Sequence, residues 1–581
     1  MGDFIRGGHF LTESLSVEQI FTPEDFTEEQ RTIAQTTADF IAGNVAPHLE
    51  AIEKLDYELT RSLLKEAGEI GLLAADIPEA YDGVALDKIS STLITEHMAR
   101  GGSFGLSHGA HVGIGTLPIV FFGNEEQKQR YLPALGSGEK IAAYCLTEPG
   151  SGSDALGAKT KAIRSEDGRH YILNGTKQYI TNAGFADVFI VYAKVDGDKF
   201  TAFIVDRDTP GLSIGPEEKK MGIKGSSTCP VILEDAKVPA KNLLGEIGKG
   251  HHIAFNILNI GRFKLGAGCI GSAKWALHLS AKYANARVQF NSPIAHFPLI
   301  QEKIANMAIE LYGAESVIYR TAGLIEKALE VKEPLQATAE YAVECSICKI
   351  LASEMLDLVA DEGVQIHGGY GYTQEYEIER IYRDARINRI FEGTNEINRL
   401  LIPDTLLKRA MKGEIPLLAA AQRLQSELFS LGIHADNGMP LNIEEDLIER
   451  SKKIVLFVAG IAVQKYQKAL AQEQELLRNI ADLVIAVFAM ESALLRAKKK
   501  LVQSGPEKAA MAIQLATAYI YQRITAIEVI AKKSLAAMEE GDALRAQLSI
   551  LKKLTRHVPV NEKALTRAIA QPIIEMEKYS I

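Results

Sequence analysis

The sequence predicts a mainly α-helical protein with an all-β unit inserted between two helical regions. Three observations carry this expectation. Apolar residues recur at spacings of three and four from about Thr27 to Gly138 (Ile33, Thr37, Phe40 and Ile41, then Leu63, Leu64, Ile70 and Leu73), the period of a helix with one buried face. Short β-rich runs separated by Gly, Asp and Asn turns begin near Ile141, and after Gly250 long uninterrupted helical stretches return. At 581 residues and 47% hydrophobic, the chain has material for three or four domains. The expected boundaries are an N-terminal helical domain over 1–140, a middle β domain over 141–250, a helical bundle over 251–410, a linker over 411–440 and a further helical domain over 441–581.

Bulk properties narrow the function. A formal net charge of -10 argues against nucleic acid as the main partner. Five cysteines without framework spacing point to a reducing compartment. Cys345 and Cys348 form a C-x-x-C inside a helical segment with no second pair, so they are expected to be buried helix cysteines, and no metal site is expected. The N-terminus shows no basic region followed by an apolar run, and Arg6 stands where a myristoylation signal needs Ser or Thr. The best apolar run, Leu483 to Met490, is far short of the ~20 residues of a bilayer span. A cytoplasmic location is therefore expected, with no targeting signal visible.

In chain order, the first feature is Gly105, Gly109 and Gly113, four residues apart and so on one helix face. Three glycines weaken a helix by about 1 kcal/mol each relative to Ala, so something must approach that face. Two readings stand, tight helix packing or a groove for a long, thin ligand. The expected strands are Ala142–Thr147, Tyr171–Leu173, Val188–Tyr192, Phe203–Val205 and Val231–Leu233. The first is followed by Thr147-Glu-Pro-Gly-Ser-Gly-Ser-Asp154, whose N–H groups and hydroxyls suit phosphate or flavin oxygens. Long helices are expected at 253–285, 299–328 and 337–363, and the last leads into Gln365-Ile-His-Gly-Gly-Tyr-Gly-Tyr372. A helix from Glu375 to Ile390 then precedes Arg389-Ile-Phe-Glu-Gly-Thr-Asn-Glu-Ile-Asn-Arg399. Gly393 interrupts helix formation there, placing Glu392 where a helix ends and the chain turns among apolar neighbours. Such surroundings raise a carboxyl pKa and fit the residue to act as a base toward carbon. Gly432 to Pro440 reads as a turn within the linker, and the block beyond it is mildly basic.

These landmarks carry a resemblance. Tyr144-Cys-Leu-Thr-Glu-Pro-Gly-Ser-Gly-Ser-Asp154, Lys177-Gln-Tyr-Ile-Thr-Asn182, Asn285-Ala-Arg-Val-Gln-Phe290, Gln365-Ile-His-Gly-Gly369 and Phe391-Glu-Gly-Thr-Asn395 resemble, in order, the flavin-binding and catalytic segments of the acyl-CoA dehydrogenase family. The likeness implies that family's fold (helical domain, β-barrel-like domain, four-helix bundle) plus an extra C-terminal domain. It implies FAD held by Tyr144, Leu146, Thr147, Ser153, Tyr179, Ile180, Thr181, Thr394 and Asn395. Arg287, Phe290, Gln365, Gly368 and Gly369 would reach the FAD of a neighbouring subunit. Glu392 would be the base, with its backbone N–H polarising the thioester carbonyl. Ser153, Asn259, Arg262, Gly393, Gly105 and Gly109 would contact the acyl-CoA.

Some relatives carry the base on the helix that here reads Asn259-Ile-Gly-Arg262, and this chain has no carboxylate there. Tyr179 stands where many relatives have Trp. The length beyond residue 400, Ile257-Leu-Asn-Ile-Gly-Arg-Phe263 and the Ala481–Ala486 helix make the very-long-chain members the most similar. That subgroup implies long-chain acyl-CoA as substrate, an electron-transfer flavoprotein as acceptor, a homodimer, and peripheral membrane contact. Leu494-Leu-Arg-Ala-Lys-Lys-Lys-Leu501 could contribute to that contact or form a solvated helix face. Three alternatives share parts of the pattern: an acyl-CoA oxidase, a scaffold protein derived from the family, and a DNA-associated relative.

Overall fold

The computed structural model describes residues 4–427 and 438–581. Helices Glu28–Phe40, Tyr57–Glu69 and Lys88–Met98 form the first layer. Their starts are local in origin, since Thr27, Asp56 and Asp87 each accept a backbone N–H of the first turn. Ser103–Gly109 follows and runs into a wider π-type turn, Ala110–Gly115.

The middle domain is an eight-stranded sheet of order β6-β7-β3-β2-β4-β5-β8, with β1 (Ala142–Cys145) added beside β4. Its long strands are β3 (His170–Thr181), β4 (Val188–Val195), β5 (Lys199–Asp206) and β7 (Thr228–Pro239). Three short strands were not foreseen: β2 (Lys161–Arg164), β6 (Leu212–Ile214) and β8 (Leu243–Leu244). In the β3–β7 ladder Lys177 faces Val231 and Ile180 faces Cys229, so two residues, Gln178 and Tyr179, oppose one. This bulge, with Tyr179 at φ 59°, re-aims the strand end. It leaves the Tyr179 ring 63% exposed.

The bundle is built from Gly250–Ala286, Pro298–Leu329 and Ala342–His367, then Glu377–Ala385 and Asn395–Met411. Cys345 and Cys348 are buried free thiols in the third helix, as expected. The C-terminal domain adds Asn442–Tyr466, the pair of helices within Gln474–Met538 that breaks at Gly505, Gly541–Thr555 and Glu562–Met576.

Four expectations are corrected. Residues 4–26 do not pack on the N-terminal helices alone: Phe10 and Leu11 lie in the core shared by the bundle and the C-terminal domain. The expected linker contains a helix, Leu417–Glu427, and most of the 432–440 turn lies outside the described residues. The 442–472 helix is long and apolar enough to cross a membrane, with mean hydropathy 1.3. It packs instead along the 474–538 helices, and its buried Lys452 pairs with Glu491 at 2.7 Å. Finally, the basic stretch 494–501 is not a solvated face throughout: Lys498 and Lys500 are half-buried, and two of its cations are buried. Arg496 is buried against Glu24 (3.0 Å) and Glu315 (2.6 Å), and Lys499 is buried against Asp25 and the Ile20 carbonyl.

Candidate active site

The Glu377–Ala385 helix tightens into a 3-10 turn, Arg386–Arg389, and the chain then reverses. Glu392 (φ 56°) and Gly393 (φ 80°) are both left-handed. Gly393 adopts this freely, whereas Glu392 does so only because its surroundings hold it. Thr394 then accepts the Ile397 N–H and starts the next helix. Three side chains grip the turn. Arg262 donates Nε to the Glu392 carbonyl at 3.2 Å. Asn398 donates to the Gly393 carbonyl at 2.9 Å. Lys349 donates Nζ to the Gly393 carbonyl at 2.8 Å and to Asn395 Oδ1 at 2.6 Å. Burial lowers Lys349 to about 8.

The Glu392 carboxyl sits against the 250–286 helix. A Cβ on Gly261 would lie 2.7 Å from Oε2, so only glycine admits the carboxyl there. Oε2 is buried, with no hydrogen-bond partner among the described residues. Burial raises the carboxyl to about 7, against the opposing pull of Arg262 and Lys349. The backbone N–H of Glu392 makes no hydrogen bond to any described residue. A base poised near neutrality and a free N–H are therefore fixed in one turn.

That turn closes one end of a cavity with an empty volume of about 1340 Å³, part of it open to solvent. Glu392 and Phe391 line it, and so do Gly109, Gly113 and Gly268. None of these three glycines has an atom within 4 Å of where a Cβ would stand. Gly105 differs: its Cβ would strike the Met98 carbonyl at 2.4 Å. Both readings of the glycine stripe hold, packing at Gly105 and open groove at Gly109 and Gly113. Gly268 was missed, although Gly261 and Gly268 are seven apart and share a helix face.

The loop after β1 (Ala142–Cys145) is tied to β3 by a buried ion pair, Lys177 to Glu148 at 2.7 Å. Burial disfavours the Glu148 charge, but Lys177, Thr160 and the Lys159 N–H outweigh it and lower its pKa. Leu146 is buried, Thr147 half-buried and Ser153 exposed. Thr181 lines the cavity. The Tyr144 hydroxyl is buried, and burial first, then Tyr192 and the Glu392 charge, raise its pKa. Two expectations change. The Ile180 side chain is 2% exposed in the β-domain core, so only its backbone can face a cofactor. Asn395 is turned inward, donating to Ser353 (3.1 Å) and Glu354 (3.0 Å), so it holds the loop. Asn259 and Arg262 are buried and bonded to each other at 3.1 Å.

The remaining set gathers elsewhere. The hairpin of β9 (Val288–Gln289) and β10 (Ser292–Pro293) exposes 91% of Phe290. Arg287 lies over the Tyr370 ring at 5.8 Å, which brings the 285–290 and 365–372 motifs together. Gln365, Gly368 and Gly369 are exposed beside them.

The donor set fits a flavin nucleotide. An exposed aromatic face is held at a bulge, a hydroxyl and a sealed apolar residue flank it, and Gly150 and Gly152 leave open space along the loop. Among the described residues no cluster of His, Cys, Asp or Glu could hold a metal.

Fold and site together define a protein with a buried carboxyl of raised pKa beside a large, mostly apolar cavity. Comparison with known proteins narrows this class. Family models for the acyl-CoA dehydrogenase N-terminal domain match residues 27–139, the middle domain 143–236, and two models described as the C-terminal domain match 248–407 and 450–553. A probable acyl-CoA dehydrogenase of Bacillus subtilis (strain 168) is 59% identical over 100% of this chain and 99% of its own length. The mitochondrial very long-chain specific acyl-CoA dehydrogenase of Bos taurus is 36% identical over 85% of this chain and 78% of its own. The crystal structure of an acyl-CoA dehydrogenase complexed with FAD from Bacillus anthracis superposes with a TM-score of 0.98 at 57% identity, covering 99% of this chain and 100% of that one. The chain belongs to the acyl-CoA dehydrogenase family.

Proposed function

We propose that this oxidoreductase introduces the α,β double bond into long-chain acyl-CoA thioesters, giving trans-2-enoyl-CoA, with Glu392 as the base. One observation carries the proposal: the unpartnered Glu392 carboxyl oxygen stands at the head of a channel whose walls are bare at Gly109, Gly113 and Gly268. A thioester carbonyl seated at the Glu392 N–H is polarised, which acidifies the α-carbon. The carboxylate, near 7, accepts that proton without leaving its apolar seat. Bound FAD, for which Leu146, Thr147, Tyr179 and Thr181 provide the seat, supplies the acceptor for the β-hydride. The electrons then leave for an electron-transfer flavoprotein. Arg262, Asn398 and Lys349 keep the base aimed through the cycle.

The working unit is a homodimer in this reading. Arg287 lies 26 residues beyond Gly261 on one helix, about 39 Å at 1.5 Å per residue, so the Arg287–Phe290 group is placed to serve the cofactor of a second copy.

Anaerobic addition of saturated acyl-CoAs from four to twenty carbons tests the reaction. Bleaching of the flavin absorbance strongest with long chains is the expected result. Bleaching confined to short chains would remove the long-chain assignment, and peroxide formed without an added carrier would make the protein an oxidase.

A further inference from the structure

We propose that the pair Arg100–Trp275 closes the far end of the acyl channel and sets the longest chain the enzyme accepts. The proposal deepens the long-chain reading above and rests on it. Along the 250–286 helix, Gly261, Gly268, Ser272 and Trp275 all line the same cavity, at steps of seven, four and three residues that keep them on one face. Gly261 touches the base and Gly268 faces open space. Trp275, the only tryptophan of the chain, ends the row with the bulkiest side chain available.

Arg100, on the opposite wall, lays its guanidinium 3.9 Å from the centre of the indole. It makes no ion pair and no hydrogen bond with any described residue, so the indole is its single anchor. It sits in a short 3-10 turn, Ala99–Gly101, just before the kink at Gly102 (φ 56°). A stacked cation of this kind is a modest attraction, enough to hold the end shut and weak enough for a ligand to displace.

The length of the channel follows from the helix. Fourteen residues from Gly261 to Trp275 span about 21 Å at 1.5 Å per residue. An extended alkyl chain advances about 1.25 Å per bond, given C–C bonds of about 1.5 Å at near-tetrahedral angles. The channel therefore holds about seventeen bonds. The methyl end of a sixteen- to eighteen-carbon acyl group meets Trp275. A nine-carbon chain stops near Gly268 and a twelve-carbon chain short of Ser272, about 16.5 Å along, and chains of twenty or more carbons must lift Arg100 off the indole.

Because Trp275 is unique, its emission reports directly on tail contact. In flavin-loaded Glu392→Gln protein, which binds acyl-CoA without consuming it, saturating eight- to twelve-carbon acyl-CoAs should leave the emission alike, and sixteen carbons or more should shift it stepwise. Separately, Trp275→Ala and Arg100→Ala should each raise the kcat/KM ratio of the twenty-carbon over the fourteen-carbon substrate at least tenfold, with Trp275→Phe between them and the parent. An emission change that ignores chain length, or ratios within twofold of the parent in both alanine variants, overturns the proposal. In that event, long-chain flavin bleaching by the parent enzyme shows that only the end stop is wrong. Failure of every long acyl-CoA to bleach the flavin shows that the long-chain reading itself has failed.

Discussion

At the scale of single residues, the proposed reaction depends on the protonation state of Glu392. Its pKa is raised from the usual 4.5 to about 7 by burial. Below pH 7 the carboxyl is mostly protonated and cannot accept a proton. We expect kcat/KM to climb about tenfold per pH unit up to 7 and then level. Glu392→Gln should lose roughly 10²–10⁴ of turnover and abolish that limb, as initial rates across pH 5–9 will show. The sign for stability is consistent: a raised carboxyl stabilises the fold below about 4.5 and loses that contribution as pH rises through 7. Glu392 and its turn were legible because an Ile-Phe-Glu-Gly sequence states both the apolar setting and the break. The grip of Lys349 and the inward turn of Asn395 were not, because each depends on a helix over forty residues away.

At the scale of elements, the 474–538 helices act as a clamp. Arg496 is 2% exposed, paired with Glu24 and Glu315 and stacked on Tyr312 at 4.5 Å. Removing one partner of a buried pair strands the other charges, at about 3–5 kcal/mol. Arg496→Ala should therefore lower the denaturant midpoint of the C-terminal half markedly, while Lys498→Ala, on the half-exposed side of the same helix, should change it little. Circular dichroism in a urea series separates the two. The long helices and central strands were readable from their periods. The strands Lys161–Arg164 and Leu212–Ile214 were not, since they are mostly exposed or half-buried and carry no apolar run. The basic run 494–501 misled for a related reason: sequence shows charge, but not a carboxylate some 470 residues away that neutralises it.

At the scale of the whole molecule, two clusters lie beside one helix, about 39 Å apart along it, and each is half-built: the base with its exposed Tyr179, and the Arg287 group with its projecting Phe290. Phe290→Glu puts a charge where the second copy would seat an aromatic ring. The expected result is a shift toward monomer in sedimentation, together with a fall in the flavin-to-protein absorbance ratio. If flavin is retained by a monomer, the two-copy reading fails. The domain order was legible because each motif sits in its own segment, whereas the return of residues 4–26 to the C-terminal half was hidden in contacts spanning nearly the full chain. The network around Glu315 also has a consequence for biosynthesis. Glu315 and Glu96 share Lys274, but Arg496 and the Tyr579 hydroxyl, which complete the arrangement around Glu315, come 181 and 264 residues later in the chain. At translation rates of about 5–20 residues per second, the nascent dehydrogenase core waits roughly 10–50 s with two acidic side chains sharing one lysine. During that interval the interior around Glu315 stays incomplete, until Arg496 and then Tyr579 arrive.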